Sequence, residues 1–569
     1  MQSTPRHASR RLLALALFLA AVTQVGAAET AGVVAAKNGL VVSATAVSSE
    51  IGRDVLKRGG NAVDAAVATA FALAVVHPEA GNIGGGGFMM VYPADGSPPE
   101  CIEYRETAPA AATQTMFSAE DSSYGPKIVG VPGTVRGLAL AHRRYGSLPW
   151  SELAAPAVKL AADGFTIDQY LADSLNSLLA ESGDFPELLR VYGKAGGIQP
   201  WQAGDQLALP DLARTLKRIA AQGADGFYQG PVAEKIVAQM RDGGGLITRE
   251  DLADYRAHVR RPIHGTYRGY DIYGPPPPSS GGVCLIEMLN ILENFDLDKY
   301  GRDSDDTWHL MVEAMRRAFR DRAVHLGDPD FVEIPEFLTE KEYARRLARG
   351  IDLRRATPSE ELAADIPLVS EGTHTTHFSV IDGRGMAVSN TYTLEHSYGS
   401  RVVVRGAGFL LNDEMGDFNW VPGHTDREGR IGTAANLIAP GKRMLSSQTP
   451  VIVAREGQVR LITGSPGGRT IINTVLSVVL NVIEFEMDAQ AAVDAPRFHH
   501  GWFPDQVTVE RFGQAPSAGL LEGLKNRGHD VVLADSPQGS AHTILVRSAG
   551  DRTFLGAADY RRTGHASGY

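Results

Sequence analysis

The stretch Glu371-Gly-Thr-His-Thr-Thr-His-Phe-Ser-Val380 divides the chain into two parts of different character. Helical patterns dominate residues 131–349 before it, whereas alternating apolar and polar residues after it predict strands. Residues 356–368 mix Pro, Ser, Glu and Ala without periodicity, which is typical of an exposed connection. We therefore expect two complementary parts that meet where Thr375 opens a strand.

A β-hairpin is predicted just after this point. Its strands cover residues 377–381 and 386–393, around the turn sequence Asp382-Gly-Arg-Gly385. In that register Thr375 lies opposite Thr393. Two facing threonines are usually a cross-strand pair joined by a hydroxyl hydrogen bond, so this motif alone also fits a purely structural role.

A catalytic interpretation of Thr375 uses the same position. A threonine hydroxyl needs a base before it attacks a carbonyl, and a threonine at a new N-terminus carries one in its own α-amine, whose pKa is about 8 in peptides. Such a terminus requires a cut between His374 and Thr375, with the carbonyl of His374 as the first group attacked.

The turn Gly464-Ser-Pro-Gly-Gly468 offers donors for this chemistry. It separates a predicted strand at residues 459–463 from a predicted helix at residues 470–483. The N–H groups of Gly467 and Gly468, just ahead of a helix, suit a tetrahedral oxyanion. A plain strand-to-helix turn is the alternative interpretation.

The first 28 residues predict a secretory signal peptide. Arg6, Arg10 and Arg11 precede an apolar run at residues 12–22, and small residues follow at 26–28. The run is about half the roughly 20 residues that span a bilayer, which favours a removed signal over an uncleaved anchor. We expect a periplasmic or secreted protein with no membrane anchor after signal removal.

Composition is that of an ordinary globular protein. Of 569 residues, 43% are hydrophobic and 21% are charged, and removing the three signal arginines changes the formal charge from −11 to −14. Nucleic acid is disfavoured as a partner because phosphate binding needs clustered positive charge, so a small molecule is expected. Cys101 and Cys284 either pair or remain buried thiols. No zinc-ligand spacing is present, so no metal and no cofactor are predicted.

A run of glycines follows a helix that is predicted to be buried. Residues 62–76 are apolar on every helical face, and they lead into Gly81-Asn-Ile-Gly-Gly-Gly-Gly-Phe88 and a strand at residues 89–92. Nucleotide-binding glycine loops run from a strand into a helix, whereas here the helix comes first. The order of elements therefore argues against nucleotide binding.

Six motifs, taken together and in this order, resemble those of γ-glutamyltranspeptidases. They are Asn82-Ile-Gly-Gly-Gly-Gly-Phe88, Pro277-Pro-Ser-Ser-Gly-Gly282, Thr375-Thr-His-Phe-Ser379, Leu445-Ser-Ser447, Gly464-Ser-Pro-Gly-Gly468 and Ala495-Pro-Arg-Phe-His-His500. The likeness extends from about Gly32 to Tyr569. Each motif is weak alone, but their joint occurrence is specific.

The resemblance implies an α/β (α+β) fold, a four-layer αββα sandwich of the N-terminal-nucleophile hydrolase type with a mainly helical region in the large subunit. It implies a zymogen that cuts itself into a large subunit of residues 29–374 and a catalytic small subunit of residues 375–569. The two subunits are expected to stay together as a heterodimer.

The resemblance also implies roles for single residues. Thr375 is the nucleophile, Thr393 hydrogen-bonds it and supports self-cleavage and catalysis, and Gly467 and Gly468 form the oxyanion hole. In the implied binding site Arg105 holds the substrate α-carboxylate, assisted by Ser446 and Ser447, while Glu414 and Asp417 receive the α-ammonium. A guanidinium fork and nearby acids are what a γ-glutamyl group requires, since one carbon bears both charges.

Three positions depart from the family pattern. Glu395 stands where many members have Asn and adds negative charge near the α-ammonium. Met444 replaces a Pro that usually precedes the two serines. Residues 425–436 are long enough to form a lid loop but lack the tyrosine that gates it in some members.

The implied function is that of a γ-glutamyltransferase and glutathione hydrolase, which passes the γ-glutamyl group of glutathione and its conjugates to water, an amino acid or a dipeptide. One alternative is a cephalosporin acylase that removes glutaryl-like side chains; retention of Glu414 and Asp417 argues against it. Another is a non-catalytic γ-glutamyl-binding periplasmic protein, against which an intact Thr375 argues.

Overall fold

The computed structural model describes residues 32–118, 120–363, 368–369, 374–547 and 552–569, and the predicted signal peptide lies outside these ranges. The strands before the dividing stretch are β1 Val34–Ala36, β2 Gly39–Ser43, β3 Gly86–Tyr92, β4 Glu100–Glu103, β5 Phe165–Thr166, β6 Gln206–Leu207, β7 His258–Arg260, β8 Ile263–Tyr267, β9 Tyr270–Gly274 and β10 Leu368–Val369. Those after it are β11 His374–Asp382, β12 Ala387–Glu395, β13 Arg430–Ile431, β14 Val451–Arg455, β15 Gln458–Thr463, β16 Phe498–His499, β17 Val507–Glu510, β18 Val531–Ala534, β19 His542–Arg547, β20 Thr553–Ala558 and β21 His565–Gly568.

Most α-helices precede the dividing stretch. They are α1 Ala46–Lys57, α2 Ala62–Val76, α3 Thr134–Tyr145, α4 Trp150–Asp163, α5 Gln169–Ala180, α6 Pro186–Tyr192, α7 Pro210–Gln222, α8 Asp225–Tyr228, α9 Gly230–Gly243, α10 Arg249–Asp254, α11 Gly281–Leu292, α12 Leu297–Tyr300, α13 Asp305–His325 and α14 Lys341–Arg349. After it come α15 Thr470–Ile483, α16 Ala489–Asp494 and α17 Ala518–Asn526.

Two seven-stranded sheets form the middle of the molecule. The hairpin sheet has the order β21-β2-β11-β12-β3-β4-β7, and the second sheet has the order β1-β20-β19-β15-β14-β9-β8. Apolar side chains from both sheets form one buried cluster that includes Leu40, Phe88, Ile381, Ile452 and Ile544. The sheets therefore pack face to face, as their alternating apolar positions require.

Helices cover the outer face of each sheet. Helix α2 packs on the hairpin sheet with every residue buried, and it begins at a capping box in which Asn61 accepts from the N–H of Asp64 and Asp64 accepts from the N–H of Asn61. Helices α11 and α15 cover the second sheet. The predicted four-layer αββα sandwich is confirmed.

The predicted hairpin lies at the centre of its sheet, with β11 between β2 and β12. Pairing runs from Ile381 opposite Ala387 to Thr376 opposite Tyr392, which is the predicted register. The register then shifts, so that His374 pairs with Glu395. The predicted facing of Thr375 and Thr393 is therefore wrong in detail: β12 carries an extra residue there, and this bulge re-aims the side chains next to it.

Close backbone packing explains the glycine run. Strand β3 begins at Gly86, which pairs with Thr393. A Cβ on Gly85 would lie 1.9 Å from the carbonyl oxygen of Thr393, and one on Gly87 would lie 2.4 Å from that of Thr391. The glycines let β3 and its preceding loop approach β12 closely. This packing explains the glycine run without a bound nucleotide.

Two local predictions need correction. The pattern at residues 408–412 predicts a strand, but only an isolated bridge, between Val403 and Leu410, forms there. The mainly helical region also supplies β7 to the hairpin sheet and β8 and β9 to the second sheet. Of the two alternatives for the cysteines, buried thiols are observed: Cys101 and Cys284 are both free and buried.

Within the described ranges, no helix combines the length and the apolar character needed to cross a bilayer.

Candidate active site

Thr375 and Thr393 both lie at the bulge between β11 and β12, and both are buried, with 3% and 1% of their surface exposed. The N–H of Glu395 donates to Thr393 Oγ1 at 2.8 Å, and Asn82 Nδ2 donates to the carbonyl oxygen of Thr393 at 2.9 Å. His374 occupies the first position of β11, immediately before Thr375. The threonine pair is thus held on central strands rather than on loops.

The predicted oxyanion turn follows β15 and leads into α15. Gly467 has φ 131° and Gly468 has φ 55°, conformations that favour glycine. The turn is held near β11, because a Cβ on Gly464 would lie 2.4 Å from the His377 ring, and Ser389 Oγ on β12 donates to the carbonyl of Thr463 at 3.0 Å. The turn therefore lies over the hairpin that carries the threonines.

Arg105 lies just beyond β4 and is completely buried. Its guanidinium forms ion pairs with Glu414 and Asp417, and it donates to the carbonyl oxygens of Met444 at 3.3 Å and Leu445 at 3.2 Å. The structure thus brings together residues that are about 300 positions apart in the sequence. The predicted carboxylate-binding arginine and the predicted ammonium-binding acids contact each other directly.

Negative charge exceeds positive charge around this arginine. Glu106 Oε2 lies 3.6 Å from Arg105 Nη1, and ligand oxygens of Glu395, Glu414 and Asp417 lie within 4.8 Å of one another. Burial raises the pKa of Glu106 to about 8, although Arg105 opposes the shift. Burial likewise holds the pKa of Glu414 well above its usual value. The carboxyl cluster therefore favours an additional cation.

Hydrogen-bond geometry points to the same conclusion. Glu414 Oε2 meets the Arg105 guanidinium in an ion pair, but Glu414 Oε1 and both carboxylate oxygens of Glu106 accept no hydrogen bond from any described residue. Buried polar atoms without partners cost free energy, about 1–3 kcal/mol for each group. A ligand with several N–H donors would remove that cost.

The two predicted serines directly follow Leu445, whose carbonyl oxygen accepts from Arg105. Ser446 Oγ accepts from the N–H of Gln448 at 3.1 Å, and Ser447 Oγ accepts from Arg322 Nη2 at 3.0 Å. An accepting hydroxyl still has its own O–H to donate. Both serines can therefore donate to a carboxylate that approaches Arg105.

The segment proposed as a lid contacts the chain upstream of Thr375. Strand β13, at residues 430–431, pairs with β10, at residues 368–369. No tyrosine occurs in residues 425–436, as the sequence already shows.

Several residues of the site were not singled out from the sequence. Glu106 follows Arg105 directly, but nothing in the local pattern shows that it is buried. Asn82, inside the glycine run, and the pair His396 and Asp413 act through hydrogen bonds that join distant segments. Only the position of Asn82 within a quoted motif was a signal.

A family model described as Gamma-glutamyltranspeptidase matches residues 48–569. The chain belongs to the γ-glutamyltranspeptidase family. It is 45% identical over 537 residues to the glutathione hydrolase proenzyme of Escherichia coli K12, covering 93% of this chain and 91% of that relative.

Solved structures support the fold of this γ-glutamyltranspeptidase family member. A cephalosporin acylase from Bacillus halodurans superposes with a TM-score of 0.83 at 29% identity, covering 100% of this chain and 99% of that chain. A chain of Helicobacter pylori γ-glutamyltranspeptidase has a TM-score of 0.55 at 44% identity, covering 56% of this chain and 93% of that chain. The sandwich is that of an N-terminal-nucleophile hydrolase.

Proposed function

We propose that this γ-glutamyltransferase and glutathione hydrolase, an enzyme processed into subunits, completes its active site by cutting its own chain between His374 and Thr375. The products would be a large subunit of residues 29–374 and a small subunit of residues 375–569. The position of Thr375 at the start of a buried central strand supports this assignment.

Self-cleavage would proceed through an ester. Thr375 Oγ attacks the carbonyl carbon of His374, the C–N bond breaks, and the nitrogen takes up the hydroxyl proton. Water then hydrolyses the ester, which releases the carboxylate of His374 and restores the Thr375 hydroxyl beside the α-amine that the broken C–N bond has freed. Thr393 Oγ1, which accepts from the N–H of Glu395, would steer the Thr375 hydroxyl.

Substrate turnover would reuse the same groups. The α-amine of Thr375 takes the proton of its own hydroxyl, whose oxygen attacks the γ-carbonyl of the donor. N–H groups of Gly467 and Gly468 stabilise the tetrahedral oxyanion. The amine leaves with a proton, and water, an amino acid or a dipeptide then attacks the γ-glutamyl ester.

Recognition of the γ-glutamyl group rests on one observation: beside Arg105, the buried Glu414 Oε1 accepts no hydrogen bond from any described residue. An α-ammonium supplies three N–H donors and a positive charge to Glu414, Asp417 and Glu395. Arg105 and the two serines supply donors to the α-carboxylate. The substrate carboxylate would share the guanidinium with acids that already pair with it.

A cephalosporin acylase is the second candidate, because an acylase is among the similar structures. A glutaryl group lacks the α-ammonium, so it would leave the carboxyl cluster without a cation. We therefore favour γ-glutamyl donors. A binding protein without catalysis would not require the threonine pair and the glycine turn to lie together.

Discrimination between the two donors tests the proposal. We predict that kcat/KM for γ-glutamyl-p-nitroanilide exceeds that for glutaryl-p-nitroanilide by about 100-fold, since a hydrogen-bonded charge contributes about 1.5–3 kcal/mol. Asp417→Asn should lower kcat/KM about tenfold or more for the γ-glutamyl donor and change glutaryl turnover much less, since glutaryl has no ammonium to lose its partner. Equal turnover of both donors by the wild-type enzyme would contradict γ-glutamyl specificity and support the acylase.

The remaining assignments follow from the sequence. We propose export to the periplasm or outside the cell on the basis of residues 1–28, and glutathione as the physiological donor. Both proposed subunits contribute strands to both large sheets, which supports a heterodimer that stays associated after cleavage.

A further inference from the structure

Strand β12 ends in a strained turn. Glu395 has φ 81°, a left-handed conformation that residues with a side chain adopt only where their surroundings hold them. Two backbone N–H groups of this turn, those of Glu395 and His396, each donate to a side chain. The N–H of Glu395 donates to Thr393 Oγ1 at 2.8 Å, and the N–H of His396 donates to Asp413 Oδ1 at 3.1 Å.

His396 and Asp413 form a two-point clamp. Besides the backbone contact, His396 Nδ1 lies 2.6 Å from Asp413 Oδ2. A carboxylate only accepts, so Nδ1 carries the shared proton. The N–H of Asp413 in turn donates to the carbonyl of Leu394 at 3.0 Å. Three hydrogen bonds therefore tie the end of β12 to the loop that contains Asp413.

This clamp connects the two halves of the active site. On one side, the turn that it holds presents the N–H of Glu395 to the hydroxyl of Thr393. On the other side, Asp413 directly precedes the 3-10 helix Glu414–Asp417, whose acids pair with Arg105. A shift of the clamp would move the hydroxyl and the carboxyl cluster relative to each other.

We propose that His396, acting with Asp413, is a positioning residue for the γ-glutamyl site and sets its affinity for the donor. The inference rests on the proposed function of the site. His396 touches no reacting atom; it acts through Thr393 and through the Glu414–Asp417 turn.

Charged neighbours make the clamp sensitive to pH. His396 faces Asp413 and Asp417 from one loop, Arg401 from another, and the Tyr124 ring at 6.4 Å, on which Arg401 also stacks. Burial disfavours the imidazolium, but the hydrogen bond and charge of Asp413 outweigh it, so the pKa of His396 is raised. The charged clamp therefore persists to higher pH than an ordinary histidine would allow, and it weakens as pH rises through this raised pKa.

Steady-state kinetics of the self-processed enzyme with γ-glutamyl-p-nitroanilide tests the inference. We expect His396→Ala to raise KM about tenfold and to lower kcat less than about threefold, because a charge-assisted hydrogen bond is lost outside the reacting groups. His396→Asn places an uncharged donor where Nδ1 was. It should bring KM back to within about threefold of wild type at pH 7.

The dependence of KM on pH distinguishes a positioning role of His396 from simple structural support. The KM of the wild-type enzyme should rise more steeply at alkaline pH than that of His396→Asn, which has no imidazolium to lose. Substrate and the Thr375 amine titrate equally in both enzymes, so the comparison isolates His396. Identical pH profiles of KM for the wild-type enzyme and His396→Asn would overturn the inference. This comparison does not need His396→Ala, so it remains decisive if that variant does not fold.

Two further variants serve as controls. His264→Ala removes an exposed histidine that pairs with Asp271 at 2.9 Å on a distant sheet edge, and KM should not change. Asp413→Asn should raise KM, and adding His396→Ala should raise it little further, because the two residues act as one unit.

A wild-type KM in His396→Ala would overturn the inference and leave the proposed function intact. Absence of γ-glutamyl turnover in the wild-type enzyme would instead overturn the proposed function.

Discussion

At the scale of single residues, the site depends on side chains that hold each other rather than on isolated catalytic groups. Thr393 accepts from the N–H of Glu395, its carbonyl accepts from Asn82, and Asn82 Oδ1 accepts from the N–H of Gly85 at 2.9 Å and from Thr134. The Thr393 hydroxyl is therefore held in place by three segments of the chain: β12, the glycine run and the start of α3. Losing it should affect cleavage and turnover together.

We predict that Thr393→Val slows both self-cleavage and kcat by about 10- to 100-fold. Valine keeps the shape of threonine but leaves the buried N–H of Glu395 unpaired, which costs about 1–3 kcal/mol. Conversion of precursor on denaturing gels and the kcat of the processed enzyme measure the effect. Thr393→Ser keeps the hydroxyl and should stay within a few-fold of wild type; cleavage of the valine variant at the wild-type rate would contradict the role of Thr393.

At the scale of elements, the hairpin β11–β12 and the glycine-led strand β3 form one unit. Gly86 pairs with Thr393, and neighbouring glycines remove every Cβ that would push the two strands apart. Arg105 follows β4, which pairs with β3, so the same sheet also carries the arginine that we propose binds substrate. Strand spacing therefore controls the distance between the hydroxyls and the arginine.

Gly85→Ala should destabilise the protein by about 1–3 kcal/mol and slow self-cleavage, because its Cβ would overlap backbone rather than a movable side chain. Thermal unfolding and precursor conversion measure this. Gly519→Ala is the matched control, since a Cβ there meets nothing within 4 Å, and it should leave Tm unchanged or higher. An unchanged Tm in Gly85→Ala would show that β3 and β12 are not closely packed.

The sequence pattern predicted those helices whose apolar faces and end signals lie within a short stretch of the chain. Helix α2 matches its predicted range because every face is apolar, and α15 matches because it begins right after a glycine turn. The shift at Thr375 was not predictable, since the extra residue on β12 depends on the left-handed turn at Glu395. Strands β20 and β21 were missed because short strands near the C-terminus carry little periodicity.

The sequence supplied candidate site residues but not the contacts between them. Resemblance supplied Arg105, Glu414 and Asp417, yet spacing in the sequence gives no sign that they form direct ion pairs. The burial that raises the pKa of Glu106 depends on packing of segments far apart in the chain. Long-range contacts of this kind are not encoded in any local window.

At the scale of the whole molecule, the two proposed subunits are interleaved. Strands β11, β12 and β21 of the small subunit alternate with β2, β3, β4 and β7 of the large subunit in the hairpin sheet. In the second sheet β1, β8 and β9 of the large subunit pair with strands of the small one. Cutting after His374 would free one terminus without separating the sheets, so an active heterodimer is expected.

The most direct measurement is the N-terminal sequence and intact mass of the chains in an active preparation. We predict two co-purifying chains, the smaller of about 195 residues beginning at Thr375, and a single uncut, inactive chain for Thr375→Ala. Full activity from a single uncut chain, or a small chain that begins at any other residue, would contradict self-cleavage at Thr375.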